Sequence, residues 1–98
     1  MMLVTVDSLP GKTLELLGMV QGSMIQSVHF GKKPLVGGEL SSCTQMMDQS
    51  REIATQRMIQ RAQALGADAI VAIRYSSSVV MQGAAEVLVY GTAVKIIP

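Results

Sequence analysis

The feature that most constrains the fold is one long helix-like segment, residues 41–65, which lies between segments of strand character. Ser42 and Gln45 have the spacing of a helix-capping box, and Gly66 stands where a left-handed glycine commonly ends a helix. Along the segment an apolar stripe recurs at steps of three and four, broken once by an arginine: Cys43, Met47, Arg51, Ala54, Met58, Ala62 and Leu65. A single helix with one apolar stripe needs another surface to bury it, and a sheet is the surface that the rest of the chain offers.

Four other segments have the composition of strands. The first is the short run MMLVTV, residues 1–6, and the turn-forming sequence DSLPGK follows it. The second is the longer stretch 13–30. After the helix, residues 69–77 and 84–97 are rich in Val and Ile, and MQGA between them predicts a hairpin turn.

Two glycines interrupt the second strand. Gly18 and Gly22 predict a bulge or a bend, because glycine packs no side chain and loosens the hydrogen-bonded ladder. Simple alternation would otherwise place four residues on one face of this strand: Leu14, Leu16, Gly18 and Val20.

The order strand, strand, helix, strand, strand predicts an α+β fold, in which one long helix covers one face of an antiparallel sheet. We expect residues 1–98 to form a single domain, because the chain contains no internal repeat, low-complexity segment or linker. The only loop-like stretch of any length is Gly31 to Leu40, which contains two adjacent lysines.

The composition predicts association. Apolar residues make up 49% of the chain and charged residues only 15%, compared with about 25% in ordinary domains. A chain this small with so few charges is expected to leave apolar surface exposed on a lone subunit, and a second copy would cover it.

The charge and the apolar runs exclude several classes of partner. The net charge of +1 provides no electrostatic attraction to nucleic acid or to an anionic membrane. No apolar run approaches the roughly 20 residues that a spanning helix needs. The N-terminal sequence does not resemble a signal peptide, and the single cysteine cannot form an internal disulfide. We therefore expect a cytoplasmic protein.

Three stretches resemble the YbjQ-like family of small bacterial proteins of unknown function. They are LPGKTLELLGMVQG near the start, ALGADAIVAIRY after the helix and YGTAVKI at the end, with LVGG ahead of the helix. The resemblance extends over nearly the whole chain and implies an α+β subunit that assembles into a ring, a homopentamer. Because the family has been described as heavy-metal-binding, the resemblance also implies that a metal site should be looked for. The chain departs from the family in the short, basic segment HFGKKPLVGG, where members often carry a longer, charged one.

A metal site would need thiol or imidazole ligands at short spacing. Cys43 and His29 are the only such groups, and no Cys-x-x-Cys or His-x-x-x-His pattern is present. The chain has eight methionines, whose thioethers suit Cu(I), but Met47 and Met58 lie on the apolar stripe, where methionine fills core gaps. A metal site is then expected only if several subunits each contribute Cys43.

Catalysis is not expected. Ser27 lies near the single histidine, His29, but no acidic residue nearby in the sequence would orient it. The loop before the helix lacks the glycine-lysine order of a phosphate-binding loop, although a basic loop at a helix N-terminus could hold an anion. Asp68 is interpreted as a turn residue and Arg74 as a strand-face charge, which in a ring could pair across a subunit interface.

The function predicted from the sequence is a non-enzymatic homo-oligomeric module without a cofactor, which binds a small ligand or an ion at its subunit junctions. The alternative is a soft-metal-binding protein that uses Cys43 and methionines.

Overall fold

A computed structural model describes residues 1–27 and 41–98, and it describes side chains in the second range from Thr44 onward. Several features singled out above lie outside the described residues. They are His29, the loop from Gly31 to Leu40, the last three residues of the long second strand, and the side chains of Ser42 and Cys43.

The described elements follow the predicted order. They are β1 (Met2–Leu3), β2 (Thr13–Ser27), α1 (Ser41–Ala64), β3 (Ala69–Met81) and β4 (Ala84–Ile97). The four strands form one sheet in the order β1-β3-β4-β2. The α+β class is therefore confirmed, with one helix packed on one sheet.

The prediction of an antiparallel sheet was wrong in part, because the sheet is mixed. β4 pairs antiparallel with both β2 and β3, whereas β1 pairs parallel with β3, with Met2 opposite Ala69. The parallel pair arises because the segment that joins β1 to β2 crosses the face of the sheet away from α1 and leaves the two strands at opposite edges, running in the same direction. The helix crossover likewise makes β2 and β3 run in the same direction. The hairpin then brings β4 back between them.

The sheet has a core on each face. On the face that α1 covers, the helix residues Ala54, Met58 and Ala62 are fully buried. They pack against sheet residues from three strands: Val20, Ile70, Ile73, Val87, Val89 and Ala93. On the other face, the segment that joins β1 to β2 buries Leu9 against a smaller cluster formed by Ala69, Val71 and Val94.

The apolar stripe predicted for the helix is confirmed where the helix packs on the sheet. It is wrong at the C-terminal end of the helix. Ala54, Met58 and Ala62 lie in the core, but Leu65 is exposed. The helix ends at Ala64, so Leu65 no longer follows the helical period. Ser50, which was not on the predicted stripe, is buried and hydrogen-bonds the side chain of Gln26 on β2.

Gly66 ends the helix as predicted. Its φ is +79°, its N–H donates to the Gln63 carbonyl at 3.0 Å, and the Ala67 N–H donates to the Ala62 carbonyl at 3.1 Å. This pair of bonds is the Schellman motif, in which a left-handed residue satisfies the last carbonyls of a helix.

A bulge in β2 changes which side chains face the helix. The register against β4 shifts between Leu16 and Gly18, and Gly18 has a φ of +137°. Before the bulge, Leu14 packs with the cluster on the face away from the helix; after it, Val20 packs beneath the helix. The bulge was predicted, but the shared face of Leu14, Leu16, Gly18 and Val20 was wrong, because an extra residue inverts the alternation.

Candidate functional site

The face of the sheet away from α1 is only partly covered. The segment that joins β1 to β2 covers its lower part around Val71 and Val94. The remainder is called the open face below. By strand alternation and register, its residues are Met19, Gln21, Ser23, Ile25, Arg74, Ser76, Ser78, Glu86, Leu88, Tyr90 and Thr92.

The open face combines apolar side chains with few charges. Met19 is 75% exposed, and Ile25 and Tyr90 are also exposed. Leu16, beside the bulge, is equally exposed at 75%. Arg74 and Glu86 are the charged residues of this face. Such depletion of charge around exposed apolar groups is typical of the centre of a protein–protein interface.

The hairpin end is apolar and exposed on both faces of the sheet. Val79 is 79% exposed and Met81 67% exposed, and Val80 between them is also exposed. The hairpin turn follows, with Gly83 at a φ of +77°. β3 is thus longer than the predicted stretch 69–77, and its last three residues, 79–81, are apolar.

Arg74 anchors the N-terminal segment. The Arg74 guanidinium donates from Nη1 to the Thr5 carbonyl and to the Ile73 carbonyl, both at 2.8 Å. Backbone bonds also hold this segment, because Ile73 N–H donates to Val4 and Ala72 N–H donates to Val6. The interpretation of Arg74 as a strand-face charge is therefore incomplete, since its side chain also holds the chain next to β3.

Asp68 closes the end of the β4 ladder. Its backbone N–H donates to the Val94 carbonyl at 2.9 Å, and its carboxylate Oδ2 accepts from the Ile96 N–H at 2.8 Å. The Asp68 carboxylate therefore accepts the hydrogen bond that a backbone carbonyl of a neighbouring strand would otherwise accept. This role goes beyond the turn residue that the sequence predicted.

Two helix arginines cover the opposite edge of the sheet. Arg57 donates to the Ser23 carbonyl at 2.7 Å, and Arg61 donates to the Gln21 carbonyl at 3.0 Å. Both carbonyls belong to β2, the edge strand. No local pattern in the sequence indicates this role, since the partners lie 34 and 40 residues away in the chain.

A small cleft lies between the N-terminal segment and β3. Its volume is about 160 Å³, and its lining is Leu3, Val4, Thr5, Ile73 and Tyr75. Ligand pockets usually have volumes of about 300–1,000 Å³, so this cleft is too small for an ordinary organic ligand. The Tyr75 hydroxyl is already paired with the Thr55 hydroxyl at 2.7 Å.

No metal centre forms among the described side chains. Over residues 1–27 and 44–98, no group of three or more His, Cys, Asp or Glu residues is arranged to hold a metal ion. Met58 is fully buried and Met47 packs against the same core, which supports the interpretation of these methionines as core residues. This statement does not cover Cys43 and His29, because the structure does not describe their side chains.

Two carboxylates at and after the helix have partners of their own. Asp48 pairs with Arg51 on the same exposed helix surface, and Asp68 is bonded to backbone. Of the residues that the sequence singled out, Arg74 and Asp68 thus each join two segments of the chain.

Sequence comparison identifies the family. The model of the YbjQ family, described as "Putative heavy-metal-binding", matches residues 1–97. The chain belongs to this family. It is 54% identical to a UPF0145 protein of Clostridium novyi over 99% of this chain and 100% of that one, and 55% identical to a UPF0145 protein of Alkaliphilus metalliredigens over the same shares. A UPF0145 protein of Thermus thermophilus is 46% identical over 96% of this chain and 89% of its own length.

A solved structure shows the same fold. It is a protein of unknown function of the DUF74 family from Pediococcus pentosaceus, with a TM-score of 0.75 and 22% identity, covering 99% of this chain and 98% of that one. At this identity the similarity extends to the fold alone. In the described part of the YbjQ-family chain, no helix is long and apolar enough to cross a membrane.

Proposed function

We propose that this YbjQ-family chain is a non-catalytic subunit of a homo-oligomer, which associates through the open face and the hairpin end. The observation that carries the proposal is the exposure of large apolar side chains on the open face, Met19, Ile25 and Tyr90 among them, and at the hairpin end, where Val79 is exposed. Monomeric proteins rarely expose contiguous apolar patches larger than a few hundred Å².

The shape of the subunit supports the same proposal. Its principal extents are 55 × 24 × 16 Å and its radius of gyration is 16.5 Å. A compact domain of this length has a radius of gyration of about 13 Å. The described residues of β3 from Arg74 onward are all exposed, so the hairpin end adds surface without adding core.

A small ligand or ion would then bind at the subunit junctions. The cleft beside Tyr75 is too small for an ordinary ligand, whereas Arg74 and Glu86 bring charge to the open face, where subunits would meet. The family resemblance implies that the oligomer is a ring of five subunits. Native mass spectrometry measures the number of subunits directly.

Analytical ultracentrifugation at micromolar concentration tests the association. The parent protein is expected to sediment as a species several times the subunit mass of 10.4 kDa. Met19→Lys, which adds a charge at a highly exposed apolar position of the open face, is expected to lower that mass. Gln60→Lys adds the same charge on the exposed side of the helix and is expected to leave the assembly unchanged. A folded, monomeric parent protein would refute the proposal.

The second candidate function is soft-metal binding, and the description of the family favours it. One thiol per chain cannot complete a metal site alone, so the ligands would be Cys43 thiolates from several subunits around a symmetry axis. This candidate therefore also requires the assembly, and the metal analysis described in the Discussion distinguishes it.

A further inference from the structure

A bulge in β3 shapes the small cleft beside the N-terminal segment. The register of β3 against β4 shifts between Val71 and Arg74, and Ala72 has a φ of +55°. Among the described residues, Ala72 is the one non-glycine residue with a positive φ. Because an extra residue inverts the alternation of a strand, Ile73 packs in the core under the helix. Tyr75 lies on the same side, where its hydroxyl pairs with the helix, and both residues line the cleft.

The same bulge fixes the opposite wall of the cleft, which the N-terminal segment forms. The Ala72 N–H donates to the Val6 carbonyl at 2.8 Å, and the Ile73 N–H donates to the Val4 carbonyl at 3.1 Å. A left-handed conformation is unfavourable for a residue with a Cβ, and strained positions of this kind are frequent at ligand clamps. The two walls of the cleft are therefore held together by consecutive backbone hydrogen bonds from a strained bulge.

Several polar groups of the cleft lining already have partners within the chain. The carbonyls of Thr5 and Ile73 both accept from the Arg74 guanidinium at 2.8 Å. The Tyr75 hydroxyl is paired with the Thr55 hydroxyl at 2.7 Å. No lining residue carries a charge, and four of the five contribute aliphatic or aromatic side chains: Leu3, Val4, Ile73 and Tyr75. The cleft therefore offers a ligand mainly hydrocarbon surface.

We propose that this cleft binds a small, uncharged apolar molecule of about the size of benzene. Its volume of about 160 Å³ is below that of an ordinary ligand pocket, but an apolar cavity of about 150 Å³ is sufficient to hold benzene. An apolar molecule gains free energy when it leaves water for such a surface, whereas a charged group would lose its hydration without finding a partner. The inference goes beyond the proposed function and does not depend on association of the subunits.

Titration of the parent protein with toluene, followed by the amide signals in nuclear magnetic resonance spectra, tests the proposal. The amides of Thr5, Ile73 and Tyr75 are expected to shift saturably, with a Kd on the order of 1 mM for so small a ligand. Benzoate and benzylammonium, which carry a charge on a ring of the same size, are expected to leave these signals in place at the same concentrations. Toluene without a saturable shift up to its solubility limit, or equal binding of a charged probe, would refute the proposal.

Thr5→Phe then tests whether toluene binds in the cleft itself. The added ring fills the cleft from an exposed position and keeps the backbone carbonyl that Arg74 binds, so toluene binding is expected to weaken about tenfold or more. Leu3→Phe narrows the cleft from a second position and is expected to act in the same direction. The control is Val6→Phe, which adds a ring at the next residue, exposed and outside the lining, and is expected to bind like the parent. Undiminished binding in the two cleft variants, or an equal loss in the control, would overturn the proposal.

Discussion

At the scale of single residues, two glycines are required for opposite reasons. Gly66 has open space around the position of a Cβ, and only its left-handed backbone, with a φ of +79°, demands glycine. Gly22 has an ordinary φ, but a Cβ there would lie 2.7 Å from the backbone nitrogen of Met58 and closer still to the Ala54 carbonyl oxygen. One glycine therefore ends the helix, and the other allows the helix backbone to approach the sheet.

Gly22→Ala is expected to destabilise the fold by about 3 kcal/mol, at the upper end of the cost of overpacking, because the added methyl group meets rigid helix backbone. Chemical denaturation at a fixed protein concentration measures the change, since assembly would otherwise contribute to stability. A cost below that of Gly66→Val would contradict the close approach of helix and sheet.

Gly66→Val is expected to cost on the order of 1–2 kcal/mol, because a residue with a Cβ is strained in the left-handed region. No neighbouring atom adds to this cost, since nothing lies within 4 Å of the added Cβ position. The same denaturation experiment measures it. An unchanged midpoint would argue against the left-handed helix end.

At the scale of elements, the helix has two functions. Its buried side fills the core with Ala54, Met58 and Ala62, and its arginines cover the exposed edge of β2. An uncovered edge strand is a template for pairing with other chains. The same element that stabilises the subunit thus also restricts pairing at this edge.

Replacing both arginines by methionine, Arg57→Met with Arg61→Met, retains the apolar stems and removes the donors to β2. We expect a loss of about 1 kcal/mol, because hydrogen bonds from exposed charged groups contribute little each. We also expect faster amide exchange along β2. The control is Arg51→Met, whose partner is the exposed Asp48 of the same helix. Equal effects of the control and the double variant would show that the bonds to β2 have no special role.

At the scale of the whole molecule, an elongated subunit with a small core on each face of its sheet is expected to depend on its neighbours for stability. The melting temperature should therefore rise with protein concentration, because mass action favours the assembled, folded state. Calorimetry between micromolar and submillimolar concentrations measures this dependence. A melting temperature that stays constant over this range would indicate that the subunit is stable alone.

Metal analysis of protein purified without an affinity tag separates the two candidate functions. One thiol and one imidazole per chain cannot close a four-ligand zinc site, so we expect no stoichiometric Zn²⁺ or Cu²⁺. If a soft ion such as Cu(I) binds at shared thiolates, Cys43→Ser should abolish binding and leave the assembly intact. A tight site that persists in Cys43→Ser would refute both this arrangement and the metal-free interpretation.

The local elements were largely predictable from the sequence. The helix, the β4 strand and the hairpin turn were placed within a few residues, and Gly66 was assigned correctly as the helix end. These features depend on periodicity, capping and turn residues that lie close together in the chain. β3 was predicted too short, because its last residues are apolar on both faces and exposed. They therefore lack the alternation of apolar and polar residues that indicates a strand.

The sequence by itself determined which segments become helix and strand, because backbone preferences and local hydrogen bonds act over a few residues. Only the tertiary structure decided that β1 runs parallel beside β3, that Arg57 and Arg61 cover β2, and that Gly22 lies under the helix. Each of these depends on contacts between residues far apart in the chain. The residues next to a side chain in the sequence do not specify which distant strand it will contact.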